Sequence, residues 1–302
     1  MRLLRLLPLA LLFGAVLPAQ TPDTATAHLA AAKALLNSNN TGVAHLACPA
    51  EIPKSTTEAA QLDPFAGRGR GGRGAAAGPP PRESWYQPPQ QVFDNLYYLG
   101  NKVNTSWAVT TSQGIILIDL LFDYSTKDEV EDGLRTMGLD PNNIKYVIIS
   151  HAHGDHDGGL KYIQDTFKPR VIMGPKDWDM AMAEKTPPRR DIDATDGQKL
   201  TLGDTTITIY ITTGHTPSTL SVLVPVKDHG TPHMAFEWGG TALSGRTSKE
   251  MLASYISNAN RMLDIVGGAG ADVIIGNHTE YNDAIGRLAK LKERSRANRT
   301  CG

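Results

Sequence analysis

The segment from His151 to Gly159, HAHGDHDGG, places three histidines and two aspartates within nine residues. Imidazole and carboxylate groups suit zinc, and a tight loop can aim several of them at neighbouring ions. The apolar run Lys145 to Ile149 predicts a strand that ends just before the segment. After the segment, Leu160, Ile163 and Phe167 fall on one helical face. The segment is therefore predicted to be a metal-binding loop between a strand and a helix, rather than a histidine-rich surface loop.

Two further histidines follow strand-like runs. His215 lies in TGHTPS, residues 213–218, and His278 ends IGNH, residues 275–278. Loops at strand ends are where residues from distant parts of a chain converge on a site. Alone, either histidine is better explained as an ordinary polar residue. With the loop at 151–159 they complete the ligands that two zinc ions need.

The hydrophobic pattern divides the chain into two halves, and in each half strands are predicted to come first and helices to follow. One broad apolar stripe, Met251 to Val266, predicts a long amphipathic helix. No repeat of about 20 to 50 residues is evident, which argues against a solenoid. The predicted strands are Val92–Leu99, Ile115–Ile118, Lys145–Ile149, Val171–Met173, Lys199–Leu202, Thr206–Thr212, Leu220–Val224 and Val273–Ile275.

Together, HAHGDHDGG, GHTP at 214–217 and NH at 277–278 resemble the successive metal motifs of the metallo-β-lactamase superfamily. The resemblance spans residues 85–291 and implies an α/β fold, the αβ/βα four-layer sandwich, with the metals at one edge of the paired sheets. It implies two Zn²⁺ per chain: one is held by His151, His153 and His215, and the other by Asp155, His156 and His278. Asp119 is expected to orient a ligand histidine, because a carboxylate beneath the ring fixes its tautomer and direction; a turn-forming role is the alternative.

Within the superfamily the chain is most similar to subclass B3. Some other members carry a bridging Asp or a Cys ligand between the second and third motifs, whereas here Gly240 falls at that position. The subclass usually has Gly after the HTP motif, and this chain has Ser218. Candidate substrate contacts are Thr241, Ser244 and Trp107.

The resemblance implies a hydrolase that opens the β-lactam ring by attack of a zinc-bound hydroxide, with Asp155 binding the second ion and orienting the nucleophile. The first alternative is an exported metallo-hydrolase of another lactone, ester or thioester at the same dinuclear site. A more remote one is a non-catalytic zinc-binding protein on the same scaffold. A serine nucleophile is disfavoured, since no Gly-x-Ser-x-Gly motif occurs.

The N-terminus has the features of a secretory signal peptide at residues 1–19. Arg2 and Arg5 precede the apolar stretch Leu6 to Leu17, which is shorter than a membrane span, and Ala19 suits a signal peptidase. Residues 20–84, with a Gly/Arg/Pro-rich stretch, are expected to be a flexible arm, followed by a catalytic domain at 85–293 and a disordered tail at 294–302. The protein is therefore expected to be periplasmic or secreted, without a stable membrane anchor.

Charge and cysteine content limit the other partners. Lys and Arg number 30 against 31 acidic residues, so the overall charge gives no reason to expect a nucleic acid, and a small-molecule substrate is expected instead. The two cysteines, Cys48 and Cys301, could pair in an oxidising compartment or remain free thiols. The sequence does not define the oligomeric state.

Overall fold

The structure is a computed structural model that describes residues 79–243 and 247–300 together with Ala30; of residues 294–300 it describes the backbone. The chain divides into two units, Met1–Ser38 and Asn39–Gly302, and the description below concerns the second. Several predictions concern residues outside the described part of the chain: the signal peptide at 1–19, most of the arm at 20–84, Cys48, Ser244 and Cys301.

The described strands form two sheets. They are β1 (Gln90–Phe93), β2 (Leu96–Tyr98), β3 (Trp107–Thr111), β4 (Gly114–Ile118), β5 (Ile144–Ile148), β6 (Arg170–Met173), β7 (Ile192–Asp193), β8 (Gln198–Leu202), β9 (Thr205–Ile211), β10 (Leu220–Asp228), β11 (Thr231–Glu237) and β12 (Val273–Ile275). The first sheet has the order β1 to β7, antiparallel up to β4 and parallel from β4 onward. The second has the order β12-β11-β10-β9-β8 and is antiparallel except that β12 runs parallel to β11.

Helices lie between and after these strands. They are α1 (Arg82–Trp85), α2 (Asp123–Thr126), α3 (Asp132–Thr136), α4 (Gly154–Asp157), α5 (Leu160–Phe167), α6 (Pro175–Met182), α7 (Lys249–Gly268) and α8 (Ala284–Thr300). A π-helical turn, Lys127–Glu131, joins α2 to α3. Among the described residues, no helix is both long and apolar enough to cross a membrane.

Strand β4 shows how the first sheet is buried on both faces. Side chains alternate between the two faces of a strand. Ile116 and Ile118 belong to the apolar core shared with the second sheet, whose Ile207 and Ile209 join the same cluster. Ile115 and Leu117 pack instead among the helices that cover the opposite face. Two buried faces explain why this strand reads as an uninterrupted apolar run.

Helix α7 packs at the second sheet through a narrow part of its surface. Arg261 donates to the Ile211 carbonyl at the end of β9 at 2.7 Å, and Asn258 donates to the Thr213 carbonyl. Met262 is the buried apolar residue of this helix, whereas Leu263 is 73% exposed. The apolar stripe predicted over residues 251–266 is therefore only partly buried, because it is wider than the part of the helix that is covered in the structure. With helices outside the first sheet and α7 at the second, the architecture confirms the predicted α/β sandwich.

Some element boundaries differ from the sequence predictions. The predicted strand Val92–Leu99 is a hairpin of β1 and β2, because Asp94 and Asn95 form the turn; Asp94 Oδ2 accepts the Gly230 N–H at 2.8 Å. Strands β3, β7 and β11 were not predicted. Helix α8 continues to Thr300, so residues 294–300 of the tail that was expected to be disordered are helical in the structure. Residues 294–300 contain neither Gly nor Pro, and Arg and Ala are strong helix formers.

The strand directions bring six loops to one edge of the molecule. Strands β4, β5 and β6 are parallel, so the loops that follow them leave the first sheet on the same side. Strands β9, β11 and β12 likewise share one direction in the second sheet. The Leu220 N–H donates to the Ser150 carbonyl at 2.7 Å, which joins the two sets of loops. The predicted ligands lie in these loops.

Candidate metal centre

The loop after β5 carries four of the predicted ligands. Its backbone is tied to Asp119, which follows β4: Asp119 Oδ1 accepts the Ser150 N–H at 2.7 Å, and Oδ2 accepts the Ser150 hydroxyl at 2.8 Å. Asp119 is fully buried and has a φ of 60°, a conformation that Asp tolerates better than most residues. Its carboxylate is thus held under the loop by the loop's own donors.

Three histidines converge into a first group of ligand atoms, which we call the histidine group: His151, His153 and His215. The His215 Nε2 atom lies 3.1 Å from His151 Nε2 and 3.1 Å from His153 Nδ1. All three ligand atoms lie within 4.8 Å of one another, a spacing that could hold one metal ion. Residues more than 60 positions apart along the chain therefore meet in one cluster.

A second group, the aspartate group, contains Asp155, His156 and His278. The His156 Nε2 atom lies 3.2 Å from Asp155 Oδ2 and 3.2 Å from His278 Nε2. The ring centroids of His151 and His156 are 4.2 Å apart, so the two groups are neighbours. The structure brings together all six residues that the resemblance assigns as ligands.

In three of the histidines, the ring nitrogen that faces away from the ligand cluster, here called the outer nitrogen, is hydrogen-bonded to an oxygen acceptor. His151 Nδ1 donates to the Gly239 carbonyl at 2.8 Å, His215 Nδ1 donates to the Ala242 carbonyl, and His156 Nδ1 donates to Asp119 Oδ2 at 2.7 Å. With a proton on each Nδ1, the Nε2 lone pairs point into the cluster. This is the arrangement that metal-ligating histidines use to fix their tautomer and direction.

Burial and charge at the site favour neutral imidazoles at His151 and His215 and a negative charge at Asp155. Burial and the neighbouring imidazoles hold the pKa of His151 well below its usual range, and burial also lowers the pKa of His215. Burial opposes ionisation of Asp155, yet the neighbouring histidines, His156 above all, together outweigh it and lower the pKa of that carboxyl. His156 lies between two carboxylates, and these raise its pKa against the effect of burial. A positive charge, either a proton or a metal ion, is stabilised at this point.

The structure buries Trp107 in the core, which argues against its expected role as a substrate contact. Its side chain is 4% exposed within the core between the sheets, and its indole N–H donates to the Gly276 carbonyl at 3.0 Å. Thr241 lies closer to the ligand loops, and its hydroxyl donates to Asn277 Oδ1 at 3.0 Å. Ser244 lies outside the described residues.

Several residues other than the predicted ligands also shape the site. Asn104 donates to Asp155 Oδ2 at 3.0 Å, although nothing in its surroundings in the sequence marks it. The Gly239-Gly240 pair lies under the histidines: a Cβ on Gly240 would lie 2.5 Å from His215 Cβ. Consecutive glycines near the end of a strand are a signal for close backbone approach. Asp177, in the first turn of α6, is hydrogen-bonded to the loop that carries His151 and to the loop that carries His215, and it is considered below.

Comparison with known proteins agrees with the observed fold. Residues 99–229 match the family model described as the metallo-beta-lactamase superfamily. Among solved structures, the native FEZ-1 metallo-beta-lactamase from Legionella gormanii is 22% identical with a TM-score of 0.62, over 68% of this chain and 85% of that chain. BJP-1, a subclass B3 metallo-beta-lactamase of Bradyrhizobium japonicum, is 22% identical with a TM-score of 0.55, over 71% and 96%. The Rm3 metallo-beta-lactamase is 25% identical with a TM-score of 0.58, over 70% and 84%.

Proposed function

Since the chain has the fold of the metallo-β-lactamase superfamily and its residues 99–229 match that superfamily's model, we propose that this protein is a zinc-dependent hydrolase that opens β-lactam rings. The observation that carries the proposal is the convergence of six ligand side chains in two adjacent groups. The three outer-nitrogen hydrogen bonds described above support it, because they direct the remaining lone pairs inward.

The donor sets fit zinc. Neutral imidazole and carboxylate are among its preferred protein ligands, and a site with three protein ligands leaves a position open for chemistry. The histidine group would hold one ion and the aspartate group the other. Bound zinc supplies an activated water at neutral pH and polarises a carbonyl oxygen.

The residues of the chain would then position the reactants. The ionised Asp155 carboxylate orients the attacking water by accepting a hydrogen bond from it, and Asn104 fixes that carboxylate by donating to Oδ2 at 3.0 Å. Asp119 holds the His156 ring through Nδ1 at 2.7 Å. These hydrogen bonds exist before substrate binds, so little reorganisation is needed during the reaction.

The hydroxyl groups near the ligand loops are already hydrogen-bonded or buried, and this favours a second candidate class of substrate. A β-lactam carries a carboxylate that needs donors, yet Thr241 gives its hydroxyl proton to Asn277, and Ser218 is 3% exposed. Hydrolysis of a neutral lactone, ester or thioester would not need those donors. We retain this class as the alternative to β-lactam hydrolysis.

The test is turnover by purified, zinc-loaded protein. We expect a chromogenic cephalosporin to be opened, with loss of activity after chelation and recovery with zinc. His215→Ala should abolish turnover, whereas His229→Ala, at a side chain that is 93% exposed, is the matched control and should not. Turnover of lactones or thioesters without any β-lactam would select the second class, and no metal-dependent turnover of either would reject both.

We also propose that the enzyme acts outside the cytoplasm. The support is the charged start and apolar stretch of residues 1–19, with Ala19 suited to cleavage. N-terminal sequencing of protein isolated from the periplasm or the medium should begin close after Ala19. Full-length protein confined to the cytoplasm would contradict this.

A further inference from the structure

Asp177 is a fully buried carboxylate that is not among the candidate metal ligands. Its Oδ1 accepts the Ala152 backbone N–H at 2.9 Å. Its Oδ2 accepts three hydrogen bonds, from the Thr216 hydroxyl at 3.0 Å, the Ser218 N–H at 2.9 Å and the Ser218 hydroxyl at 2.8 Å. One side chain on α6 therefore joins two loops that are distant in the sequence.

The partners of Asp177 adjoin every ligand of the histidine group. Ala152 lies between His151 and His153, and Thr216 directly follows His215. None of the four hydrogen bonds involves a residue of the aspartate group. The carboxylate thus acts on the backbone from which one group of ligands projects and makes no hydrogen bond to a residue of the other group.

Ser218, which is hydrogen-bonded to the Asp177 carboxylate, also binds the backbone at the start of α6. Its hydroxyl oxygen accepts the Lys176 and Asp177 N–H groups, each at 2.9 Å, which are donors without a partner inside the helix. Gly174 makes this approach feasible, because a Cβ there would lie 2.0 Å from the Ser218 carbonyl oxygen. Ser218 therefore faces α6, and its hydroxyl is fully used there.

The hydroxyl of Thr216 is also directed toward Asp177. Thr219 Oγ1 accepts the Thr216 N–H at 2.9 Å and lies 2.6 Å from Thr216 Oγ1. If Thr219 gives its proton to Thr216, the Thr216 proton remains for the Asp177 carboxylate. Thr219, Thr216 and Asp177 then form a series of hydrogen bonds in which the donor and acceptor roles of neighbouring groups do not conflict.

We propose that Asp177 is a positioning residue that sets the metal affinity of the histidine group by fixing the 151–153 and 215–218 loops relative to each other. The inference rests on the proposed metal-dependent function. Loss of a partner behind a ligand typically weakens metal binding about 10- to 100-fold. The effect on the histidine group should be of this size, with the aspartate group unaffected.

The test uses variants that isolate each group. His278→Ala leaves the histidine group intact, and His215→Ala leaves the aspartate group with its three ligands. Asp177→Asn is added to each, and zinc affinity of the metal-free protein is measured by competition with a chromophoric chelator. We expect about 10- to 100-fold weaker binding in the His278→Ala background and no change in the His215→Ala background. Cobalt(II) absorption should change in the first background alone.

Asp179→Asn is the matched control, because Asp179 lies on the same helix but is 54% exposed and pairs with Arg190. It should leave both affinities unchanged. Equal loss in both backgrounds, or no loss in either, would overturn the proposal. Wild-type protein that binds no zinc would reject the proposed function as well, whereas two tightly bound ions with an unaffected Asp177→Asn variant would reject this inference alone.

If Asp177→Asn does not fold, variants of Thr216 test the proposal instead. Thr216→Val removes one hydrogen bond to the carboxylate, and Thr216→Ser keeps the hydroxyl. The proposal requires weaker zinc binding to the histidine group in Thr216→Val and recovery in Thr216→Ser. Equal affinity in the two variants would contradict it.

Discussion

At the scale of single residues, the metal centre depends on close approach of backbone to imidazole. Gly240 lies against His215, and a Cβ there would be 2.5 Å from His215 Cβ and 2.9 Å from Thr219 Cγ2. Such a separation is far below van der Waals contact, so a side chain at 240 forces the ring to move. Glycine is needed here for space rather than for its backbone freedom.

We therefore predict that Gly240→Ala reduces catalysis more than stability. A displaced His215 would no longer meet the other two ligands, and displacements of about 1 Å can cost roughly 100-fold in rate. Steady-state kinetics and zinc affinity of the variant would measure this. Gly267→Ala serves as control, because nothing lies within 4 Å of a Cβ at that position. Wild-type kinetics in Gly240→Ala would show that His215 tolerates the shift.

Trp107 gives a second prediction at this scale. Trp107→Phe removes the hydrogen bond to Gly276 while keeping an aromatic ring in the core, so we expect a loss of about 1 kcal/mol or more in the free energy of unfolding. The KM should stay unchanged, because the side chain is buried. Denaturant unfolding and steady-state kinetics together decide this. A raised KM at unchanged stability would restore the role in substrate binding that the sequence suggested.

The ligand residues could be predicted from the sequence because their types and spacing are chemically specific. Their supporting residues could not. Asn104 and Asp177 act through contacts that join segments 51 and 41 positions apart, and an isolated Asn or Asp more often marks a turn or a helix start. Knowing which carboxylate lies under which loop requires the three-dimensional fold.

At the scale of elements, the apolar strands were predictable, and elements with mixed composition were not. Ile207 and Ile209 in β9 alternate with polar residues and mark a half-buried strand. Strand β11 carries Pro232 and His233 and ends in Glu237, so its pattern is weak although Ala235 is fully buried. Such strands form because neighbouring strands supply their partners, and that information is not local.

The π-helical turn between α2 and α3 buries a carboxyl group with consequences for stability. Glu129 is fully buried, and burial raises the pKa of its carboxyl from 4.5 to about 9. Its Oε1 accepts the Gln87 N–H at 2.9 Å, while Oε2 has no hydrogen-bond partner among the described residues. Between these two pKa values the native protein holds a proton that the unfolded chain releases. The free energy of unfolding therefore falls as pH rises through this window.

We predict that Glu129→Gln flattens this dependence. The amide stays neutral at every pH and keeps an acceptor for Gln87, so the variant should lose less stability than wild type between about pH 6 and about pH 8.5. Thermal unfolding across that range measures the slopes. Glu83→Gln makes the same chemical change at an exposed position and should follow wild type. Parallel slopes for all three proteins would mean that Glu129 is ionised in the native state.

At the scale of the whole molecule, an apolar core joins the two sheets. This inter-sheet cluster contains residues of both sheets, such as Ile118 and Val222. The ligand loops are fixed instead by their own hydrogen bonds, such as Ser150 to Asp119. A domain with an apolar core that spans two sheets does not need metal to form, in contrast to small zinc-stabilised domains.

We therefore predict that removing metal abolishes hydrolysis but leaves a folded protein. Circular dichroism of the chelated protein should be unchanged, and unfolding should remain cooperative. Ligand binding to the native state alone adds about 2.7 kcal/mol at a free concentration of 100 Kd, so added zinc should raise the Tm by roughly 5–10 °C. The rise should be smaller in His278→Ala, which lacks one ligand of the aspartate group. If the chelated protein instead loses its cooperative transition, metal binding by the six ligands contributes to folding itself, and the apolar core alone does not hold the native state.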